Sequence, residues 1–365
     1  MTISDQVNPV GLLESLYNDR EVSAIFVNAP DRVYVERKGK IQEVNSQFKD
    51  NEALWAAIHD LLKPSGQKLD PAIPLLKTRL PDGSWVNLVM PPAVLSGPVL
   101  TIRKAHKDPL TIQDLIRFGS TSPEIAEFLR ACVKARLNIL VSGGTNSGKT
   151  TVLKVIASFI PDDSERIIVI EGSAELDLPQ KHVVTLTAGP VNLVGKEEIT
   201  MRDLVLNSLN MVPSRIILTE LEGNEAMPLL QAMTTGHDGC MTSIHANNPY
   251  EALIRLETMI TQANLSMPVQ TIREMIATGI NLIVQQNRLR DGSRKMMKLT
   301  EVAGMQGEAI VLSDIFEFQE TGVEGGRIRG RITSTGHIPG FMNRLDAAGV
   351  QLPLNMFDQK KDENP

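Results

Sequence analysis

Cysteine is scarce in this chain of 365 residues, and closely spaced metal ligands are missing from it. The two cysteines, Cys132 and Cys240, form no CxxC pair and have no cluster of histidines beside them. Disulfide frameworks and structural zinc sites need several such ligands at short, regular spacing. The sequence therefore predicts neither, and we expect both cysteines to be small, buried, unreactive residues.

Long apolar runs and an excess of basic charge are also lacking. No stretch approaches the roughly 18 uninterrupted apolar residues that span a bilayer, and residues 1–10, MTISDQVNPV, lack the basic-then-apolar order of a signal peptide. We therefore expect a cytosolic protein. The net charge is −6, with 13 basic and 13 acidic residues up to Asp108 but 24 and 30 after it. Proteins that bind nucleic acid usually carry an excess of basic residues, so no nucleic-acid partner is expected.

Two domains are predicted, because single hydrophobic cores usually stop growing near about 250–300 residues. Residues 1–103 alternate short β-rich runs with a helix at 51–63, and a hairpin at 79–90 turns at Asp82-Gly83. This pattern predicts a small N-terminal α/β domain. A charged stretch at 104–110 contains Pro109, and we interpret it as the linker.

Residues 111–320 alternate strands with helices, which is typical of a parallel sheet covered on both faces. A hairpin at 282–304 turns at Asp291-Gly292, and residues 321–365 are interpreted as a Gly-rich, weakly patterned C-terminal tail. The predicted strands before that hairpin are 138–142, 166–171, 183–187, 215–221 and 240–246.

The stretch GGTNSGKTT fits the phosphate-loop pattern G-x-x-x-x-G-K-[ST] between a predicted strand and a predicted helix. Glycines let backbone N–H groups surround phosphate oxygens, Lys149 reaches the outer phosphates, and the Thr150 hydroxyl binds Mg²⁺. The alternative is an accidental Gly-rich turn. The loop predicts a phosphate-bearing ligand with Mg²⁺, held by Gly143, Gly144, Thr145, Asn146, Ser147, Gly148, Lys149, Thr150 and Thr151.

Hydrolysis further needs carboxylates near the Mg²⁺ and the attacking water. Glu171 and Glu220 stand where predicted strands end, an edge that parallel strands share with the phosphate loop. His237 and His245 bracket a neighbouring strand, and a strand end beside the γ-phosphate can sense it through hydrogen bonds. The alternatives are solvated glutamates and structural histidines.

The ordered motifs resemble those of the secretion ATPases of type II and type IV secretion systems and type IV pili. The similarity is greatest to the CpaF-like branch, which serves tight-adherence pili. It runs from about Val22 to the region of Arg344 through SGQKLD, RLPDGSWVN, GPVLTIRK, ARLNILVSGGT, IEGSAEL, RDLVLNSLNMVPSRII, LLQAMTTGHDG, TSIHANNP, NLIVQQNRLRDGSRK and EVAGM.

The resemblance implies a PAS-like, sensor-like N-terminal α/β domain, a RecA-like P-loop ATPase domain and a hexameric ring with ATP between subunits. It assigns Glu171 as the catalytic glutamate of the Asp box and Glu220 as the Walker B glutamate, a ligand of the Mg²⁺ shell. His237 and His245 match the His box. Arg79 and Arg103, otherwise ordinary surface arginines, match first-domain arginines that approach the phosphates of a neighbour's nucleotide.

Several positions depart from the family pattern. Gly172 replaces the aspartate of IED. The Walker B strand usually continues G-E-V-R-G and here reads TELEG (219–223), so Thr219 replaces a glycine and Glu222 an arginine. Asn146 stands where glycine is commoner, and residues 208–216 lack two arginines of the usual ALRMRPDRI. Fewer basic groups near a triphosphate should weaken transition-state stabilisation by about several kcal/mol per group.

The leading hypothesis is a hexameric ATPase, peripheral at the inner face of the cytoplasmic membrane, that drives assembly or retraction of a pilus or secretion apparatus. Its expected partners are inner-membrane platform proteins. The departures keep a second hypothesis open: a nucleotide-binding, weakly hydrolysing regulator or a subunit of a mixed ring with a paralogue. A nucleic-acid translocase is a third, which the acidic second domain opposes.

Overall fold

The computed structural model describes residues 9–37, 39–66, 69–70, 73–104, 110–162, 164–172, 176–189, 199–263 and 266–359. The chain divides into two compact units, Met1–Pro109 and Leu110–Pro365. Most of the predicted linker, residues 105–109, and positions 173–175 of IEGSAEL lie outside the described residues.

The first unit is an antiparallel sheet with helices, and its predicted strands, helix and hairpin are confirmed. The sheet order is β3-β2-β1-β6-β5-β4. Gly83 has φ 90° at the predicted turn, a conformation that suits glycine, between β4 and β5. The elements are α1 Pro9–Asn18, β1 Val22–Ala29, β2 Arg32–Arg37, β3 Lys40–Glu43, α2 Asn51–Leu62, β4 Leu75–Arg79, β5 Trp85–Val89 and β6 Val99–Arg103.

The second unit is built on a nine-stranded mixed sheet with the order β15-β14-β13-β12-β7-β11-β10-β8-β9. Strands β7, β11, β10, β8 and β9 run parallel, as predicted. Strand β12, the first of the predicted hairpin, also pairs in parallel with β7, and β13 to β15 continue the sheet antiparallel. The strands are β7 Ile139–Gly143, β8 Ile167–Glu171, β9 Val183–Thr187, β10 Arg215–Leu221, β11 Met241–His245, β12 Leu282–Arg288, β13 Arg294–Gln306, β14 Ala309–Glu324 and β15 Arg327–Ser334.

Four of the helices described in this unit, α3, α4, α6 and α8, begin at a side chain that caps them. The Asn248 side chain accepts a hydrogen bond from the Glu251 N–H at the start of α8 (2.8 Å), and Thr200 and Asp203 form a capping box on α6. The helices are α3 Ile112–Arg117, α4 Pro123–Lys134, α5 Lys149–Ala157, α6 Met201–Leu209, α7 Ala226–Thr234, α8 Pro249–Gln262, α9 Val269–Gly279 and α10 Met342–Ala347.

The inner parallel strands, β7, β8, β10, β11 and β12, are largely buried on both faces, whereas β9 at the end of the sheet is partly exposed. In β7, Ile139 and Val141 join one hydrophobic cluster while Leu140 joins the other, because successive side chains of a strand point to opposite faces. Cys132 and Cys240 lie in these two clusters and are free thiols, as expected. Burial raises the pKa of the Cys240 thiol to about 12, which disfavours the reactive thiolate.

The segment after Glu320, interpreted from the sequence as a tail, is part of the second unit. Strand β14 continues through residue 320 to Glu324, and β15 adds the last strand of the sheet. Leu345 and Phe357 are buried in the cluster that also contains Phe128, whose ring lies 6.0 Å from that of Phe357. Among the described helices, none is both long and apolar enough to cross a membrane.

Candidate functional site

The phosphate loop joins β7 to α5 in a backbone conformation that its sequence supports. Asn146 has φ 59° and Gly148 φ 93°, left-handed values that asparagine and glycine tolerate best. A Cβ at Gly143 would lie 2.3 Å from the Gln286 carbonyl oxygen and 2.5 Å from Ser147 Oγ, so no side chain fits there. Lys149, Thr150 and Thr151 form the first turn of α5, whose N-terminal N–H groups favour an anion.

A polar cluster surrounds the Lys149 ammonium group at the carboxyl edge of the sheet. Lys149 Nζ lies 3.4 Å from Glu220 Oε1 and 3.1 Å from His245 Nδ1, while His245 Nε2 lies 2.8 Å from Thr145 Oγ1. Register explains this convergence, because β11 places His245 opposite Gly143 of β7. The structure therefore brings the loop lysine, the predicted Walker B glutamate and one predicted histidine together.

Glu171 is the last residue of β8, on the same edge of the sheet, and it is buried to 1% exposure. Its carboxylate accepts a hydrogen bond from the Leu176 N–H at 2.9 Å. A buried carboxylate held by a backbone donor is oriented rather than solvated, which disfavours the alternative of a merely solvated glutamate.

His237 is not brought to this cluster. It precedes β11, whereas His245 ends it, and the five residues of that strand separate the two ends by roughly 15 Å. The expectation that both histidines flank one phosphate site is therefore wrong within a single chain. The physical reason is that a parallel strand presents only its carboxyl end at the phosphate-loop edge.

Arg79 and Arg103 belong to the first unit and lie on two of its strands. Arg79 ends β4, donates from Nε to the Gly83 carbonyl at 2.9 Å and stacks 6.0 Å from the Trp85 ring. Arg103 ends β6 and is exposed. Their approach to a nucleotide remains a prediction from the family resemblance.

Three contributors to the site were not predicted. The Glu225 carboxylate accepts hydrogen bonds from the Glu222 and Gly223 N–H groups, at 2.6 and 2.8 Å, and so fixes the turn after β10. The Gln286 carbonyl lies against Gly143, and Arg294 Nε donates to the Asn146 carbonyl at 3.0 Å. Glu225, the acidic residue two positions after TELEG ends, was a usable signal for the turn. Contacts across more than a hundred residues leave no local pattern.

The departures from the family pattern do not all bear on the site. Leu221 is buried in a hydrophobic cluster, so its larger side chain packs rather than faces a ligand. A Cβ at Gly172 would have nothing within 4 Å, and Glu222 is exposed beside the carboxyl edge.

Positions 210 and 212, where the family usually has arginine, precede β10 at the amino edge of the sheet. The expectation that their loss weakens charge stabilisation beside the triphosphate is therefore wrong for this chain's own phosphate loop. Val212 is 84% exposed with φ 53° there.

The residues of the loop suit a Mg²⁺-bound triphosphate. The Ser147 Oγ atom is buried and has no protein hydrogen-bond partner, and the Lys149 side chain at the end of the phosphate loop is only 8% exposed. Buried polar atoms are nearly always paired, so the unpaired Ser147 hydroxyl beside a buried lysine fits a site for an anionic ligand. Thr150 and Glu220 would hold the cation.

Comparisons with known proteins agree with this geometry. The protein family described as type II/IV secretion system protein matches residues 8–332. An uncharacterized protein of Methanocaldococcus jannaschii is 40% identical over 243 residues, which are 64% of this chain and 33% of that protein. The type IV secretion system protein PtlH of Bordetella pertussis is 31% identical over 76% of this chain and 88% of its own length.

Among solved structures, the Legionella pneumophila ATPase DotB is similar with a TM-score of 0.58 at 18% identity, over 79% of each chain. At this identity the similarity concerns the fold, an α/β architecture with an N-terminal domain.

Proposed function

Because the chain belongs to the type II/IV secretion system protein family, we propose that it is an ATPase. It drives either the assembly or retraction of a pilus or the work of a secretion apparatus. The observation that carries the proposal is the Lys149, Glu220 and His245 cluster beside a formed phosphate loop. A tight-adherence pilus is the proposed machine, because the motifs resemble the CpaF-like branch. Inner-membrane platform proteins are the proposed partners.

In the proposed reaction, the loop N–H groups and Lys149 bind the phosphates. Thr150 and Glu220 would hold Mg²⁺, which would supply positive charge to the phosphate oxygens. Glu171 orients the attacking water, and its own orientation is fixed by the Leu176 N–H. His245 contacts both Thr145 and Lys149, so it can transmit the state of the γ-phosphate to β11.

A homohexameric ring completes the proposal. A closed heterologous ring lets residues of one subunit enter a neighbour's site. Arg79 and Arg103 are the proposed residues that reach the neighbour's phosphates and stabilise the transition-state charge. The ring is proposed to act in the cytoplasm at the inner face of the membrane.

The Lys149→Ala variant tests the motor proposal. Removing the cation that contacts the outer phosphates should lower ATP turnover by at least about 10²-fold and abolish pilus or secretion output. The control is Lys181→Ala, which removes an 89% exposed lysine from a different surface. Phosphate release and surface pili or secreted protein are the measurements, and normal output from Lys149→Ala would overturn the proposal.

A second candidate function is a nucleotide-binding, weakly hydrolysing subunit of a mixed ring. Gly172 supports it, because open space stands where the family pattern has a second carboxylate beside Glu171. Brisk ATP turnover by the purified protein alone, without any paralogue, would argue against this candidate.

A further inference from the structure

The hairpin of β12 and β13 lies against the phosphate loop. Strand β12 pairs in parallel with β7, with Gln285 opposite Ser142. The Gln286 carbonyl therefore comes close enough to Gly143 to exclude a Cβ. Arg294, the first residue of β13, pairs with Arg288 across the hairpin. Both strands of the hairpin thus supply atoms to the outer side of the loop.

Arg294 contacts the loop at its two left-handed residues. Its Nε donates to the Asn146 carbonyl at 3.0 Å, and its Cδ lies 3.1 Å from the position of a Cβ on Gly148. These residues, with φ 59° and 93°, set the curvature of the loop. Residues in this region of backbone space persist where surrounding contacts hold them, and Arg294 supplies such a contact from outside the loop.

The orientation of one peptide group links this contact to the phosphates. In a planar trans peptide the carbonyl of one residue and the N–H of the next point in opposite directions. Arg294 holds the Asn146 carbonyl, so it also sets the direction of the Ser147 N–H. That N–H and Lys149 Nζ both converge on the Gly144 carbonyl, at 3.3 and 3.5 Å. Both bonds are long, and a phosphate oxygen would replace that carbonyl as a stronger acceptor.

We propose that Arg294 is a positioning residue that holds the phosphate loop in its nucleotide-receiving conformation, an inference that rests on the proposed nucleotide-binding function. Arg294 acts on the loop before and during the reaction alike. Its loss therefore weakens binding of the ground state and the transition state equally, which raises KM and leaves kcat nearly unchanged.

The test is the dissociation constant for ADP, measured by calorimetry on the full chain. Arg294→Ala should raise it roughly three- to tenfold, the effect of losing one hydrogen bond of ordinary net strength. Arg294→Lys keeps a cationic donor and should recover most of the affinity. The matched control is Arg290→Ala, an exposed arginine of the same hairpin turn, which should bind ADP like the wild type.

Thermal unfolding without nucleotide separates this role from a folding defect. A variant that merely unfolds loses active protein, so its kcat falls while KM and the dissociation constant of the folded fraction stay unchanged. Equal ADP affinities for Arg294→Ala and the wild type, or a fall in kcat alone, would overturn the inference. Failure of the wild type to bind ADP at all would instead overturn the proposed function.

Discussion

Glu220→Gln tests whether Glu220, the predicted Walker B glutamate, competes with phosphate for Lys149. The two charged atoms lie 3.4 Å apart, and two unit charges at that distance attract by about 5 kcal/mol at an effective dielectric constant near 20. The Glu220 side chain is 35% exposed, so solvent screening and hydration reduce the net effect to about 1 kcal/mol. We therefore expect Glu220→Gln to tighten ADP binding about fivefold in EDTA, because 1.4 kcal/mol is a factor of ten.

The measurement is calorimetric titration of ADP with Mg²⁺ removed, which isolates the lysine from the cation. Raising the salt concentration should shrink the gain, since partly exposed charges are screened. Turnover with Mg²⁺ should be lost in the same variant. Glu222→Gln is the control, an exposed carboxylate two residues further on. Unchanged or weaker ADP binding in Glu220→Gln, or an equal gain in Glu222→Gln, would refute the competition.

Two further predictions concern stability. Gly239, at φ 83°, has no room for a side chain, because the Cβ of Gly239→Ala would lie 1.9 Å from Arg215 Nη1. The clash would displace the buried Arg215 from Glu165, so thermal unfolding should show that the free energy of unfolding falls by roughly 3–5 kcal/mol. Asp291 accepts from the Ser293 hydroxyl and the Ile328 N–H, which lowers the pKa of its carboxyl from 3.8 to about 2. Because this pKa is lowered in the folded state, the ionised carboxylate stabilises the fold above about pH 4, and that stabilisation is lost as the pH falls toward 2. The Tm difference between wild type and Asp291→Asn should therefore vanish over that interval. A constant Tm difference would contradict the prediction.

Hydrophobic patterning predicted the parallel half of the second unit well. Strand β10 has the predicted bounds, Arg215–Leu221, and its β-rich apolar run, residues 216–218, is fully buried. Strands β14 and β15 were missed, because β15 reads RIRGRITS, with exposed arginines between apolar residues. Such an edge strand resembles a polar loop in sequence, and only its pairing with β14 reveals it.

The site was predictable wherever one edge of the sheet decides it. Glu171 and His245 end parallel strands and Glu220 is the last residue but one of β10. Their place at this edge made them plausible site residues, and the family resemblance assigned them. Arg294 was not predictable, because its contact with Asn146 spans 148 residues and depends on the hairpin folding back along β7. His237 shows the limit of motif reading, since two histidines of one box face opposite edges of the sheet.

The departures now bear on hydrolysis more than on binding. Leu221 packs into the core and positions 210 and 212 lie at the other edge, whereas Gly172 directly follows Glu171, the residue predicted to orient the water. Every residue that contacts Lys149 is of the expected type. Nucleotide binding depends on the loop and Lys149, whereas hydrolysis also depends on the carboxylates and the charge beside Glu171. A change beside Glu171 therefore lowers kcat and leaves the nucleotide affinity intact. A slow ATPase and a nucleotide-binding regulator would therefore share one affinity and differ only in turnover.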